Sequence, residues 1–425
     1  MKRICSLRGL LLSAVVLALP MLAWQVPTGR PEDVGMSAER LQRVHESVQR
    51  HIDAGEISGA VTMVARRGKI VHVQAHGLMD LESKKPMTAD AIFRIASMTK
   101  PITGVAVMMM VEEGKVRLND KVSKFIPEFK EMKVAMPMDS VTPRPVGPRG
   151  SDQDHYLVPA YRELTVRDLL THTSGLVSGG LGARVAAKTT PKMTGDTLAT
   201  YVPRLAAVPL DFQPGTQWAY SGAAGPEVLG RIVEIVSGQP YDQFLRTRIF
   251  EPLGMKDTFF YPPDDRRPRL VTLYSKSPDG LKKAPNQDGF STKTFFGAGG
   301  SLMSTAADYL QFAQMLCNGG KLNGHVLLSP KTVQLMASNH VGDMFNGKLG
   351  RPAAGMGYGL LVGIVEDSVA AGWRVSNGSF GWDGAYGTLA WIDPSEKMVS
   401  ILMIQTQVSQ VQRDFENAVL QAIVE

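Results

Sequence analysis

Ser97 and Lys100 stand three residues apart in Phe93-Arg94-Ile95-Ala96-Ser97-Met98-Thr99-Lys100, just ahead of an apolar helical run. At the entry to a helix, that spacing puts both side chains on one face, about a turn apart. A serine hydroxyl is a weak nucleophile until a neighbouring base takes its proton. Lysine can be that base where burial favours the neutral amine, and Met108, Met109 and Met110 further along the run predict apolar surroundings. The helix N-terminus adds N–H groups and positive potential where charge develops on attack. The chemistry is acyl transfer to serine. Ser-x-x-Lys arises about once by chance in a chain this long, so the tetrapeptide alone reads first as a capping serine and a surface lysine.

The elements that must position this pair are readable from periodicity. Residues 37–53 place Leu41, Val44, Val48 and Ile52 on one helical face behind a Ser37 cap. Residues 60–64 and 69–75 are β-branched runs joined by Arg66-Arg67-Gly68, an antiparallel hairpin. Residues 386–392 and 398–404 flank Asp393-Pro394-Ser395-Glu396 as a second hairpin, and a closing helix aligns Val411, Phe415, Val419 and Ile423. The middle is helical at 102–113, 165–171, 223–236 and 241–250. These patterns predict an α+β fold: an antiparallel sheet with flanking helices built from both chain ends, plus an inserted mainly helical domain. The expected boundaries are 25–99 with 286–425 for the sheet domain and 100–285 for the helical one. Residues 137–159 and 261–285 read as long surface loops.

Composition narrows the function. The 425 residues are 44% hydrophobic and 20% charged, as in a globular protein. Lys2, Arg3 and Arg8 precede an apolar run over 9–19, and Pro20 and Ala23 follow, which predicts a signal peptide over 1–24 and a periplasmic or secreted protein. The run is too short for a membrane span. Its removal lowers the formal charge from +6 by the three basic residues, and no clustered Lys/Arg stripe points to nucleic acid. Cys5 lies in the leader, so Cys317 remains alone as a packing residue on a helix and forms no internal disulfide. His72 and His76 are four apart but in a strand-like stretch, so no metal site is read. No cofactor is implied, the partner is a small-molecule ester or amide, and oligomeric state is not specified by the chain.

From residue 31 onward the sequence resembles the serine β-lactamase and penicillin-binding protein superfamily, within it the class C β-lactamases and family VIII carboxylesterases. The resemblance rests on five blocks in order. They are the Ser97 segment and Leu164-Thr165-Val166-Arg167-Asp168-Leu169-Leu170-Thr171-His172-Thr173-Ser174-Gly175-Leu176, then Phe212-Gln213-Pro214-Gly215-Thr216 leading to Tyr220-Ser221. Phe250-Glu251-Pro252-Leu253-Gly254-Met255 and Gly299-Gly300-Ser301-Leu302-Met303-Ser304-Thr305-Ala306-Ala307-Asp308 complete the set. The resemblance implies a β-lactamase/transpeptidase-like fold and a second motif, Tyr-x-Asn, matched at Tyr220 with Gly222 in place of the asparagine. Tyr220 then shuttles a proton, and either it or Lys100 is the general base.

The family's third motif, Lys-Thr-Gly or His/Trp-x-Gly, is assigned to Trp382-Asp383-Gly384 rather than His340-Val341-Gly342, because the former runs into the C-terminal hairpin. It implies an oxyanion hole from the N–H groups of Ser97 and Ala385, with Gly222, Trp382, Asp383 and Gly384 lining the substrate site. Asp383 departs from the family's glycine. Facing the cleft, it would repel a substrate carboxylate by roughly 3 kcal/mol at about 5 Å and an effective dielectric near 20, while Trp382 would offer esters a flat surface. Small esters are the first substrate class expected, amides or cell-wall peptides the second and β-lactams the third. A binding protein of this fold that has lost turnover is the alternative of another class. His172 is read as a structural histidine, and no Gly-x-Ser-x-Gly elbow is present.

Overall fold

The computed structural model describes residues 26–138, 155–285 and 293–425. The expected leader with Cys5, most of the 137–159 stretch and the expected return to the sheet domain at 286 lie outside the described residues. Helix α1 (Ala38–Asp53) buries Leu41, Val44 and Val48, and the Ser37 hydroxyl accepts from the Arg40 N–H at 3.2 Å as its cap. Strand β1 (Gly59–Arg66) turns through Arg67 and Gly68, both at positive φ, into β2 (Lys69–Asp80) and then β3 (Lys85–Pro86). The C-terminal part supplies β4 (Met356–Tyr358), β5 (Gly363–Val365), β6 (Phe380–Asp383), β7 (Leu389–Asp393) and β8 (Met398–Met403). Among the described residues these make one antiparallel sheet in the order β4-β5-β6-β7-β8-β1-β2-β3. The two ends of the chain meet at its centre, where Val61 of β1 lies opposite Met403 of β8.

Every residue of β1 and β8 is buried, because both sheet faces are covered. Side chains alternate across a strand, so Val61, Met63, Val399 and Ile401 join one buried cluster while Ala60, Val64 and Leu402 join another. The first cluster includes α2 (Thr99–Glu112) and continues through α3 (Val166–Leu170), α4 (Ala224–Ser237) and α5 (Ala306–Cys317). The second packs against α1 and α6 (Ser409–Leu420). Helix α2 is buried from Thr99 to Met110, with Met108 and Met110 fully enclosed. A helix apolar on all sides belongs in a core, and its first turn carries Lys100 inside with it.

The inserted segment is not helical throughout. Lys133–Pro137 pairs with His155–Pro159, and Tyr274–Ser277 with Gly280–Lys283, so the ends of one expected loop and part of the other are ribbons. Pairing satisfies backbone groups that a free loop must leave to water. The ribbon at Lys133 also docks on Leu210, whose N–H reaches Lys133 O at 2.7 Å. The expected helix over 241–250 is α-helical over Tyr241–Leu245 and continues as a π turn, Arg246–Phe250. Cys317 ends α5 with its thiol pushed up to about 12 by burial, an unreactive state. Among the described residues no helix is long and apolar enough to cross a membrane, and no group of three or more His, Cys, Asp or Glu side chains could hold a metal ion.

Between α1 and the sheet, the Thr62 hydroxyl lies 2.8 Å from His72 Nε2 and 3.0 Å from His76 Nε2, and His76 Nδ1 is 3.2 Å from His45 Nδ1. Burial, with a smaller push from neighbouring histidines, lowers His72 to about 4 and His76 to about 3. Both imidazoles are therefore neutral in the fold at neutral pH. Unfolded, they take up protons near pH 6.5, so below that pH the unfolded state binds more protons and stability falls. We predict that the unfolding free energy declines from about pH 6.5 toward pH 4, by up to about 1.4 kcal/mol per pH unit for each histidine. His76→Gln should flatten that decline in a urea titration series; an unchanged slope would remove His76 from the account.

Candidate active site

The segment leading to Ser97 is pinned before it reaches that residue. Phe93 and Arg94 pair with Ser304 and Met303, Ile95 N–H reaches Leu302 O at 3.1 Å, and Gln405 bonds both the N–H and the carbonyl of Arg94 at 3.1 Å. Ala96 is forced to φ 44°, a region costly for a residue with a Cβ. A short 3₁₀ turn, Ala96–Met98, then presents Ser97 at the mouth of α2. Tyr309 holds the end of that turn by donating to Met98 O at 2.9 Å.

Lys100 is 0% exposed, and its Nζ has three oxygens in reach: Ser97 Oγ at 3.1 Å, Gly222 O at 2.7 Å and Gly299 O at 2.6 Å. The two carbonyls can only accept. In the neutral amine they take both N–H groups, which leaves the lone pair directed at the Ser97 hydroxyl. Burial pushes the lysine down to about 7, opposed by the charges of Glu227 and Asp383. A substantial fraction of neutral amine therefore exists at neutral pH.

Tyr220 lies on the irregular segment before α4, fixed from the α3 side. Its neighbours bond the 172–176 turn: Ala219 N–H to His172 O at 3.1 Å, Ser221 N–H to His172 Nδ1 at 3.3 Å, and Ser221 Oγ to Leu176 O at 2.6 Å. His172 is fully buried, and burial holds it well below its ordinary pKa, so its neutral ring serves as a support for Tyr220. Asp168 anchors that block by closing a capping box with Thr165 and taking Arg162 at 2.6 and 2.9 Å. The Lys100 nitrogen sits 4.8 Å from the Tyr220 ring centroid. Burial pushes the phenol up to about 12, against a hydrogen bond with Ser97 and one from Trp382. Tyr220 thus holds its proton at neutral pH.

Gly384 brings the β6–β7 turn against Ile95, two residues before Ser97. A Cβ there would lie 2.1 Å from Thr388 Oγ1 and 2.5 Å from Ile95 O, so only glycine permits the approach. Ala385 follows, exposed, in the turn closed by Gly387 N–H to Gly384 O at 2.9 Å. At Gly222 a Cβ would meet nothing closer than Tyr220 at 3.9 Å, so its missing side chain leaves open space. His340 bonds Arg167 and Leu335 O instead of Tyr220.

Two expectations need correction. Trp382 is 2% exposed and offers no flat surface; its ring packs on Tyr358 and Phe345, and Nε1–H donates to the Tyr220 hydroxyl at 3.3 Å. Asp383 is not a lone carboxylate, because Arg351 pairs with it at 3.0 Å while lying over the Trp382 ring at 5.5 Å. The Arg351 charge opposes the repulsion that a free Asp383 would exert. Nothing in Leu349-Gly350-Arg351-Pro352 signalled this, since the partner is distant in sequence. Glu227, buried near Lys100, was also missed; a single charge in the apolar run Ala224 to Gly230 was the available signal.

A serine and a buried lysine at the junction of an antiparallel sheet and a helical layer define a serine hydrolase of the penicillin-recognising type. The chain belongs to the beta-lactamase family, whose model matches residues 44–424. It is similar to an uncharacterized protein of Mycobacterium tuberculosis, 37% identical over 368 residues covering 84% of this chain and 88% of that one. Esterase EstB of Burkholderia gladioli is 30% identical over 404 residues, covering 89% and 93%. Among solved structures the fold is similar to EstCE1, described as a hydrolase with promiscuous acyltransferase activity, with TM-score 0.74 and 28% identity over 90% of this chain and 99% of that one.

The Arg351–Asp383 pair yields a prediction about substrate charge. Arg351→Met strips Asp383 of its counterion, so kcat/KM for an aryl ester with a carboxylate-tipped acyl chain should fall about tenfold more than for its neutral analogue, as roughly 1.4 kcal/mol of added repulsion requires. Equal losses for both esters would mean that the pair lies out of the substrate's field.

Proposed function

We propose that the protein is an exported carboxylesterase that acylates Ser97 with small esters. The observation that carries the reading is the Lys100 amine held by two carbonyls and aimed at the Ser97 hydroxyl. Ser97 Oγ attacks the ester carbonyl as its proton passes to Lys100, and the N–H groups of Ser97 and Ala385 receive the developing oxyanion. Tyr220, protonated and accepting from Trp382, directs its own proton to the departing alkoxide and is restored from Lys100. Water then attacks the acyl-enzyme by the reverse sequence. Lys100 is the base in this reading, because a phenol pushed up to about 12 is a poor one at neutral pH.

Two observations favour esters over amides and β-lactams. Gly222 supplies no side-chain amide for a substrate amide oxygen, and the chain is similar to named esterases. Ser97→Ala should abolish both hydrolysis of short-chain aryl esters and uptake of one equivalent of a fluorophosphonate. With wild type, kcat/KM should fall below about pH 7 as Lys100 becomes protonated. Residual activity above about a tenth in Ser97→Ala would sink the assignment. A panel of esters, D-amino-acid amides and a chromogenic cephalosporin decides the substrate class.

Export is part of the proposal and rests on the basic start, apolar run and small residues over 1–24. Mass spectrometry of the exported protein should find a mature N-terminus between about residues 18 and 26. A chain that keeps Met1 and stays membrane-bound would overturn it.

A further inference from the structure

Glu227 lies one turn inside α4, is 2% exposed, and bonds through its N–H to Ala223 O at 2.9 Å. That turn begins beside Gly222, one of the two carbonyls that hold Lys100. The 297–300 loop, which supplies the other through Gly299, closes on the same place. A Cβ on Gly299 would lie 2.8 Å from Gly222 O, and one on Gly297 would lie 3.5 Å from Glu227 Oε1. The two segments that aim the lysine therefore meet at the turn that carries Glu227, and the 297–300 loop reaches its carboxylate at Gly297.

The carboxylate is only half accounted for by its neighbours. Oε1 accepts from Lys192 at 2.6 Å, and Lys192 lies over the Phe295 ring at 4.1 Å. Oε2 is buried with no hydrogen-bond partner among the described residues. A buried carboxylate serving packing alone would ordinarily have both oxygens satisfied. Its charge instead acts through a poorly screened interior, where a negative group favours a protonated amine nearby.

We propose that Glu227 is a positioning residue for acyl transfer: its carboxylate, paired with Lys192, orders the two carbonyl segments around Lys100 and sets the fraction of that lysine that is neutral. Burial pushes the Glu227 carboxyl above the usual carboxylate range and the Lys192 and Lys100 charges oppose that rise, so loss of Lys192 favours uptake of a proton by Glu227. The inference rests on the reading of Ser97 and Lys100 given above.

The test is the acid limb of the kcat/KM profile for a neutral aryl ester. Glu227→Gln removes the charge at constant shape, so the limb should move to lower pH by at least about half a unit. Lys192→Gln should move it the same way, because Glu227 then takes up a proton. Glu227→Asp, which keeps the charge, should leave the limb in place whatever its effect on kcat. A lower kcat with an unmoved limb in both Glu227→Gln and Lys192→Gln would overturn the proposal. Lys192 has a side chain 42% exposed, so Lys192→Gln decides the matter if Glu227→Gln fails to fold. Fluorophosphonate labelling separates the two levels. Uptake that survives Ser97→Ala would sink the Ser97 reading itself, whereas Ser97-dependent uptake with unmoved limbs sinks only the role of Glu227.

Discussion

A lysine amine with no access to water is the constraint on which the rest of the site depends. Removing an ammonium from water costs several kcal/mol even after relaxation, and the three oxygens that meet Lys100 include no carboxylate. The fold settles the conflict by letting the lysine lose its proton. Burial pushes it down to about 7, and the carbonyls of Gly222 and Gly299 hold the resulting amine in a single orientation. A more solvated lysine would be a permanent cation, and a deeper one without these acceptors would have no defined lone-pair direction.

That burial is possible because α2 is apolar on every side and the glycines around its N-terminus permit very close approach. Gly384 presses the β6–β7 turn onto Ile95, and Gly299 packs on Gly222 and Ala223. The turn that presents Ser97 includes Ala96 at an unfavourable φ of 44°. Such a conformation costs on the order of 1–3 kcal/mol and persists only where surrounding contacts over-determine it. Here those contacts are the Phe93 and Arg94 pairing, the double hydrogen bond of Gln405 and the Tyr309 hydroxyl.

The opposite wall of the site is aromatic. Tyr220, Trp218, Trp382, Tyr358, Phe345 and His172 form a continuous set of ring contacts with centroids 4.7 to 6.3 Å apart. This packing explains the raised pKa of Tyr220 and fixes the hydroxyl that Trp382 holds. It also places Arg351 over Trp382, so the cation that neutralises Asp383 is tied to the same stack that positions the phenol. The Arg351–Asp383 pair and the Tyr220 hydroxyl are thereby held by one aromatic stack.

Much of this was legible in the chain. Local periodicity marked α1, the hairpin of β1 and β2, the hairpin of β7 and β8, and the closing helix, because each buries one face at a spacing set by its own backbone. Ser97 and Lys100 were visible for the same reason, being one turn apart on one helix, and five ordered blocks carried the family. The short ribbons at Lys133 and Tyr274 were missed, since their pairing depends on backbone partners and not on a strong apolar alternation. The residues that tune the site were beyond sequence. Asp383 reads as a free charge until Arg351, 32 positions earlier, arrives to pair with it, and Trp382 reads as a surface until its ring is found buried against Tyr220. The order of residues sets which groups could react and which local elements carry them. Their charge states and directions arise on folding, because burial and counterions come from segments that meet in space and not along the chain.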